Sequence, residues 1–559
     1  MRTPHLKAIA FSATLAASLV SVFGMGGAAG AVTPAGEAQA NSPQVAGQPA
    51  SDSTAVFPTN KQNEPTIAVN PLDSHFLIAG SNDEQEQPPC GPGPVRGSDA
   101  PANDCGFFPG VGTSGIYTSS NGGATWTNRG LLDDQASWHS AGVISDGDPV
   151  IAYGPKPDGH GGFTFANGAR AYYASLATVR AAKGSEYVIV SYSDDNGSTW
   201  SAPVVGMSKS ATAVFNDKNW ISIDRTPSSP FFGRVYLTWT QFRSATATGN
   251  GSEPVMVATS LNGGASFTAP KQLSPAGNNG TGNGRQGSSS TEGPDGAVYV
   301  AFEQGQSQVV TSSRDGGTSW SKPASIGPVV DITDPIPGAN FRTDSFPVIA
   351  ADPRSSSTSL YAAWTTRTAA GGRTVVVTST DRGAHWSAPV TVSGSEGYAF
   401  FPGLSVAPTG RVDVAYQALV AVDPTHFGVG NASIDSYAVS KPAGSSTWSA
   451  PVRLSAASSD PSASAQNNLQ RQFWGDYNTL VSDSTGAWFI STDSRHGAGC
   501  ADVDAYQKYL VDNHLVIQDD DEAPATGKNA PDPSVKPAPP TSCPAQFGNT
   551  DVVVAHFTP

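Results

Sequence analysis

Charged side chains are scarce in this chain. Asp, Glu, Lys and Arg together make up 14% of its 559 residues, whereas Gly occurs 60 times and Pro 44 times. Few charges and many turn-forming residues are typical of an all-β protein. Basic residues are the rarer sign, 31 against 46 acidic ones, so the net charge is −15. Because nucleic-acid binding depends on Lys and Arg, we expect no nucleic-acid partner.

Long apolar runs are missing beyond the start of the chain. No later stretch approaches the ~20 apolar residues of a membrane span, so we expect no membrane partner. At the start, Arg2 and Lys7 form a charged segment before an apolar run, 8–23, and Ala29-Gly-Ala31 is a small-x-small cleavage site. Ala38-Gln-Ala40 is a second such site. This pattern predicts a secretory signal and hence a secreted, extracellular protein.

Cysteines are also few. The four of them are Cys90, Cys105, Cys500 and Cys543. In an exported chain an even number of cysteines predicts disulfides, although four cysteines allow three pairings. We predict the two local pairings, Cys90 with Cys105 and Cys500 with Cys543.

Signatures of metal or phosphate chemistry do not stand out. His160, His385 and His426 are scattered without the spacing of metal ligands. Neither a Gly-x-Ser-x-Gly elbow nor a phosphate-binding loop is evident. The acidic run at 519–522 is interpreted as a solvated loop rather than a calcium site. We therefore expect no metal and no cofactor.

A repeated eight-residue phrase is the main feature that the chain does have. Five copies read Ser-x-Asp/Asn-x-Gly-x-Ser/Thr-aromatic, and a sixth lacks the acid or amide. Their aromatic residues recur every 53 to 74 residues, at Trp126, Trp200, Phe267, Trp320, Trp386 and Trp448. The Asp or Asn can accept hydrogen bonds from N–H groups two residues on, and the Gly supplies a positive φ, so the phrase predicts a tight turn. A repeat of this length, built of short strands, predicts the blade of a β-propeller.

The strand pattern sets the number of blades. Each repeat contains four short runs of period-two alternation, and a proline that suits an edge strand follows five of the six aromatic residues. Three more strands are expected after the sixth phrase, at 477–482, 488–491 and 551–555, with a fourth near 54–57 to close the ring. The predicted fold is therefore an all-β β-propeller of seven blades, each of four antiparallel strands. Six blades are the alternative.

These assignments divide the chain into three parts. Residues 1–31 are expected to be the signal peptide, and 32–58 a flexible leader rich in small residues. Residues 59–559 are expected to form a single propeller, with a disulfide-tied insertion at 500–546. We expect the protein to be a monomer.

The repeated phrase is the Asp-box, and from about residue 60 to 559 the chain resembles the sialidase-like (BNR-repeat) β-propellers. The resemblance implies a carbohydrate or glycoconjugate substrate bound at the central mouth of the ring. It also implies three arginines that hold a sugar carboxylate, a Tyr nucleophile helped by a Glu, and an Asp that acts as acid and base.

The site residues are expected at the start of each innermost strand, where polar side chains recur and should converge on the mouth. Tyr477 is the best nucleophile candidate, and the carboxyl groups assigned to catalysis are those of Asp476, Glu64 and Asp148. The residues assigned to substrate binding are Arg285, Arg342, Arg471, Trp474, Asp217 and Asp344. The same register also places Asn63, Asp146, Lys218 and Gln286 at the mouth, without a specific role.

One position departs from the family pattern. Where sialidases carry an Arg-Ile-Pro signature, this chain reads Asn63-Glu-Pro-Thr-Ile67. Glu64 would repel a sialic acid carboxylate, so we expect little or no cleavage of simple sialosides.

Two functions follow. The first is a secreted glycan-active enzyme that acts on a glycoside or an acidic polysaccharide. The second is a non-catalytic propeller that binds glycans or proteins. The enzyme requires Tyr477 or a pair of carboxyl groups about 5 to 10 Å apart in one pocket.

Overall fold

The chain forms a seven-bladed β-propeller. The computed structural model describes residues 31–43, 61–87, 110–179, 187–207, 214–243, 251–275, 285–466, 469–513, 543–544 and 546–559. In this part of the chain seven antiparallel sheets are arranged so that the innermost strand of each contacts the innermost strands of its two neighbours. The predicted fold class and blade number are confirmed.

The strands follow the chain from blade to blade. The first strand and blade one comprise β1 (Thr33–Gln39), β2 (Gln62–Val69), β3 (Leu77–Asp83), β4 (Ser114–Ser119) and β5 (Thr127–Leu131). Blade two comprises β6 (Val143–Ser145), β7 (Val150–Pro157), β8 (Phe163–Val179), β9 (Tyr187–Ser193) and β10 (Val204–Met207). Its inner edge is interrupted, because β6 and β7 both pair with β8.

The next three blades are regular. Blade three comprises β11 (Val214–Ile223), β12 (Val235–Arg243), β13 (Val255–Ser260) and β14 (Lys271–Gln272). Blade four comprises β15 (Arg285–Glu292), β16 (Val298–Gln304), β17 (Ser307–Ser313) and β18 (Ala324–Pro328). Blade five comprises β19 (Val348–Ala351), β20 (Leu360–Thr368), β21 (Gly371–Ser379) and β22 (Val390–Thr391).

The last two blades bring the chain back to its start. Blade six comprises β23 (Tyr398–Val406), β24 (Val412–Ala421), β25 (Ala432–Lys441) and β26 (Val452–Arg453). Blade seven takes β27 (Thr479–Ser482), β28 (Ala487–Asp493) and β29 (Asp551–Thr558) from the C-terminal part, in the order β1-β29-β28-β27. The described helices are 3-10 turns at Leu132–Asp134 and Pro461–Ala463 and one α-helix, α1 (Ala501–Asp512).

The closing strand differs from the sequence-based prediction. An N-terminal strand does close the ring, but it is β1, about twenty residues before the predicted position near 54–57, which lies outside the described residues. The expectation of a flexible leader over the whole of 32–58 is therefore wrong for 33–39. β1 is an outer strand with Pro34 and Gly36 and no alternating apolar residues, so it carries no strand signal. Its partner strand and the two hydrogen bonds from Arg495 to Glu37, at 2.5 and 2.8 Å, hold it in place.

Five inner strands carry a bulge at the same end. The register slips there, or the strand breaks, and a residue adopts a left-handed backbone. These residues are Glu64 (φ 52°), Asp148 (φ 52°), Lys218 (φ 50°), Gly287 (φ 69°) and Phe401 (φ 45°). Four of the five have side chains, for which this conformation is costly, and such residues concentrate at functional sites.

The repeated turns lie on the opposite face of the ring. In the first copy the Asn121 Oδ1 atom accepts the N–H of Thr125 at 3.0 Å, and the Ser119 hydroxyl accepts the N–H of Gly123 at 3.0 Å. The acceptor therefore reaches four residues along the chain, rather than the two expected. Because β2 starts at the bulged end and β4 runs in the same direction, the turn after β4 lies at the far end of the blade.

The predicted C-terminal cross-link is confirmed. Cys500 and Cys543 form a disulfide with Cα atoms 5.4 Å apart. Helix α1 starts directly after Cys500 and buries Val503, Tyr506 and Leu510 in a small apolar cluster of its own. The other predicted pair, Cys90 and Cys105, and the acidic run at 519–522 lie outside the described residues. Among the helices of the described segments, none has the length and apolar character to cross a membrane.

Candidate functional site

A row of three carboxyl groups from three adjacent blades lies at the bulged end of the ring. Glu64 of blade one is within hydrogen-bonding reach of Asp148 of blade two, and Asp148 is within reach of Asp217 of blade three. Two carboxyl groups can share a hydrogen bond only if one of them carries a proton. We call Glu64, Asp148 and Asp217 the carboxyl row.

The proton affinity of the row is high. Burial, with Asp476 nearby, raises the pKa of Glu64 to about 7. Burial and the charge of Glu64 raise the pKa of Asp148 well above its usual range, and burial and the charge of Asp148 do the same for Asp217. The row therefore binds a proton more tightly than isolated carboxyl groups do. Glu64 is buried, whereas Asp148 and Asp217 are half-buried and can meet a ligand.

Asn82 fixes the first two members of the row. Its Nδ2 atom donates to Glu64 Oε2 at 2.9 Å and to Asn63 Oδ1 at 2.8 Å, and its Oδ1 atom accepts the N–H of Asp148 at 2.9 Å. Asn82 lies on β3 directly opposite Asn63. It is not at the start of an inner strand, so the register that predicted the other site residues does not include it.

Lys218 contacts two members of the row. Its main-chain N–H donates to Asp148 Oδ2 and to Asp217 Oδ1, with N···O distances of 2.8 Å each. Its ammonium nitrogen lies 3.4 Å from the centroid of the Tyr477 ring. Burial lowers the pKa of Lys218, and the surrounding carboxylates oppose that shift. The sequence register placed this lysine at the mouth but assigned it no role.

Arg342 and Asp476 form a two-pronged ion pair beside the row. Arg342 Nε donates to Asp476 Oδ1 at 2.9 Å and Nη2 donates to Oδ2 at 2.6 Å. The guanidinium also lies over the ring of Phe473, at 5.0 Å from its centroid. The fork that would hold a sugar carboxylate is therefore occupied by a carboxylate of the protein itself.

The other two predicted clamp arginines are placed differently. The N–H of Arg285 donates to Glu253 Oε2 at 3.1 Å, and Glu253 is the charge that acts on this arginine. Arg471 is buried, and its carbonyl oxygen accepts the N–H of Gln466 at 3.0 Å. Arg342 is among the charges that act most strongly on the carboxyl row, whereas Arg285 and Arg471 are not. Arg342 is therefore the clamp candidate whose charge acts on the row.

Two predicted aromatic site residues are buried. Tyr477 donates its hydroxyl to the Pro149 carbonyl oxygen at 3.3 Å, and burial with the charges of Asp148 and Glu64 raises the pKa of its phenol well above the usual range. Trp474 is fully buried and donates from Nε1 to Gln417 at 2.8 Å. It packs in an apolar cluster, with its ring 5.9 Å from that of Phe341, so it does not reach a substrate at the mouth.

Asp344 belongs to a second acidic group. The other members of this group are Glu303 and Asp331. One carboxylate oxygen of each of the three residues lies within 4.8 Å of the corresponding oxygens of the other two. Such an arrangement can hold a cation. Burial and the charge of Asp331 raise the pKa of Asp344 well above its usual range. These residues are the ones in the described part of the chain that are placed to hold a metal ion.

A small pocket that is open to solvent lies beside the row. Its wall combines aromatic rings with a few charged groups, as sugar-binding pockets do. The side chains that define this character are Trp220, Phe346, Phe401, Tyr477, Lys218, Asp344 and Asp476.

Comparisons with known proteins return structures and no sequence families. No protein-family model matches the chain, and no curated protein matches it. Among solved structures, the Hadza microbial sialidase Hz136 is 14% identical over 72% of this chain and 68% of that chain, with a TM-score of 0.37. An α-L-arabinanase from Penicillium chrysogenum, complexed with arabinobiose, is 12% identical over 69% of this chain and 94% of that chain, with a TM-score of 0.42. A mutant of the NanB sialidase from Streptococcus pneumoniae is 10% identical over 64% and 65%, with a TM-score of 0.36.

The chain resembles the sialidase-like propellers in its fold. What the chain shares with them is a ring of four-stranded antiparallel blades.

Proposed function

We propose that this protein is a secreted glycan-active enzyme that hydrolyses a glycosidic bond at the mouth of the propeller. The observation that carries the proposal is the carboxyl row, whose three hydrogen-bonded groups come from three different blades. Glycoside hydrolysis needs one carboxyl group that holds a proton at working pH and another that is ionised. A row that shares a proton between neighbours supplies the first of these groups, and the pocket beside it contains two further carboxyl groups, those of Asp344 and Asp476.

One half-buried member of the row is assigned to the substrate. Asp148 lies next to Glu64, so it is the proposed proton donor to the leaving-group oxygen. Asp217 is within hydrogen-bonding reach of Asp148, too close to be the base of the same reaction, and with Glu64 it is proposed to hold the proton on Asp148. The base that accepts a proton from water is proposed from the two carboxyl groups that line the adjacent pocket, those of Asp344 and Asp476.

The charges at the mouth favour a glycoside without a carboxylate. Four carboxyl groups, those of the row and Asp476, face two cations, Lys218 and Arg342. The fork of Arg342 is engaged by Asp476. An acidic sugar would therefore meet repulsion without a free guanidinium to offset it.

The nucleophile role of Tyr477 stays a prediction. Two observations oppose it in this conformation. The hydroxyl donates to a main-chain carbonyl, and burial and the neighbouring carboxylates disfavour the phenolate. Direct attack by water, with Asp148 as the acid and a carboxylate of the pocket as the base, needs no tyrosine nucleophile.

Secretion is supported by two features. The N-terminal segment has the pattern of a signal peptide. The disulfide between Cys500 and Cys543 is a bond that persists in oxidising compartments.

The test is release of reducing sugar from a panel of neutral and acidic glycans by the purified protein and its variants. We expect turnover of at least one neutral glycan, and a loss of at least about 100-fold in Asp148→Asn, the usual worth of a general acid. Asp158→Asn is the matched control, because Asp158 follows the far end of β7 in the same blade and ties a turn there.

The outcome separates the two functions. Binding of a glycan by calorimetry without any turnover would overturn the enzyme and support a non-catalytic propeller. Turnover that Asp148→Asn leaves unchanged would overturn the assignment of the row.

A further inference from the structure

Lys218 has an unusual main chain for its residue type. It is a residue with a long side chain at a φ of 50°, at the bulge of β11. Only glycine adopts this conformation without strain. At the equivalent bulge of blade four, the residue is Gly287. The lysine is therefore held in a costly conformation where a glycine would fit the backbone better.

That conformation gives the N–H of Lys218 two acceptors. It lies 2.8 Å from an oxygen of Asp148 and 2.8 Å from an oxygen of Asp217. A single N–H shared by two carboxyl groups holds them beside each other. An extended backbone at this position would turn the N–H away from both.

The side chain of Lys218 places a positive charge next to the carboxyl row. The ammonium lies over the face of Tyr477 and lies 5.5 Å from the ring centroid of Trp220. Both rings hold the ammonium inside the mouth, since aromatic faces attract cations. The charged and titratable groups that act with it are Glu64, Asp148, Asp217, Asp476 and Tyr477, and Arg342 acts on the same row.

We propose that Lys218 is a positioning residue of this site, which acts through Asp148 and Asp217. Its main-chain N–H holds the two carboxyl groups together, and its ammonium keeps one member of the row ionised at neutral pH. This inference rests on the proposed function for its catalytic meaning. The geometry itself does not depend on which bond the enzyme cleaves.

The two parts of the role can be separated by substitution. Lys218→Gly removes the ammonium and keeps the left-handed main chain. Lys218→Ala removes the ammonium and also disfavours that main chain. Lys218→Arg keeps the charge. Lys156→Ala is the control for loss of a positive charge away from the mouth, since Lys156 lies on β7 next to Asp194.

The first readout needs no substrate. It is the thermal unfolding midpoint between pH 5 and 9. Without the ammonium, the pH range in which the row loses its proton should move up by about one unit in Lys218→Gly, as expected for loss of a nearby opposite charge. Lys218→Arg and Lys156→Ala should keep the wild-type profile.

The second readout is the pH–rate profile on an active glycan. It should move in the same direction in Lys218→Gly, and Lys218→Ala should lose more kcat than Lys218→Gly. A lower unfolding midpoint with no shift of either profile would show a merely structural residue and overturn the inference. If no glycan is turned over, the proposed function fails, and the unfolding profile still decides the role of Lys218.

Discussion

Glu64 is a buried carboxyl group near those of Asp148 and Asp476, and this arrangement makes the stability of the fold depend on pH. In the unfolded chain it loses its proton near its ordinary pKa of 4.5, whereas in the folded protein it keeps the proton until about pH 7. The folded state thus binds more protons in this range. Stability from this group is present below pH 4.5 and is lost as the pH rises through 7.

Glu64→Gln should remove part of that pH dependence. The amide cannot ionise, so the fall of the unfolding midpoint between pH 4.5 and 7.5 should be shallower than in the wild type. Thermal unfolding monitored by circular dichroism over this range checks the prediction. An equally steep fall in the variant would mean that Glu64 is ionised throughout.

Tyr477 gives a second test. In Tyr477→Phe the ring still packs under Lys218 and only the hydrogen bond to Pro149 is lost. With Asp148 as the acid and a carboxylate of the pocket as the base, kcat should stay within about tenfold of the wild type, less than the effect of a general acid. The measurement is kcat on an active glycan. Loss of turnover in a folded variant would restore the tyrosine as nucleophile.

Sequence reasoning placed all three members of the row at the mouth and missed the residue that holds two of them. Glu64, Asp148 and Asp217 were placed at the mouth, because each starts an inner strand and that register repeats. Asn82 was missed because its role depends on lying opposite Asn63 across two strands, and the sequence does not show which residues face each other in that way. The burial of Trp474 was not visible in the sequence, because it depends on packing against Phe341, far away in the chain.

Among the elements, β1 decides where the mature chain should begin. Ala40 donates its N–H to Val552 at 2.9 Å, and Val32 is buried against blades six and seven. Cleavage after Ala31 leaves this closing strand in place, whereas cleavage after Ala40 would remove it. N-terminal sequencing of the secreted protein should give a start near Val32. A start at Asn41 would contradict the role of β1.

The disulfide should stabilise helix α1 more than the blades. The helix has its own apolar cluster, and Gln507 joins it to the loop before blade five through a 3.2 Å hydrogen bond from Asn340. Reduction should therefore speed hydrogen exchange in α1 and leave the inner strands protected. Mass-spectrometric hydrogen exchange of oxidised and reduced protein checks this. Equal loosening of the blades would show that the cross-link supports the whole ring.

The elements differ in how well the sequence predicted them. β28 and β29 are near-continuous apolar runs, so their existence and the seventh blade could be inferred. Helix α1 was missed because it lies in a segment rich in small and polar residues, and it is tied down by Cys500 and by packing. β1 was missed because an outer strand needs little apolar surface.

The two faces of the ring differ in what they carry. The repeated turns lie on one face and tie their own backbone together, while the bulged starts of the inner strands meet on the other. Adjacent blades are joined along the inner strands by side-chain to main-chain bonds, such as that from the N–H of Ile151 to the Thr66 hydroxyl at 3.0 Å. Strained residues can therefore be kept at the mouth, because the rest of the ring stabilises the strands that carry them.

The mouth of this ring is acidic, and the proposed activity depends on that property. The deciding experiment compares sugar release from neutral glycans and from sialosides by the wild type and by Asp148→Asn between pH 5 and 8. We predict turnover of a neutral glycan that depends on Asp148, with little or no release of sialic acid. Efficient release of sialic acid, or full activity of Asp148→Asn, would contradict the account.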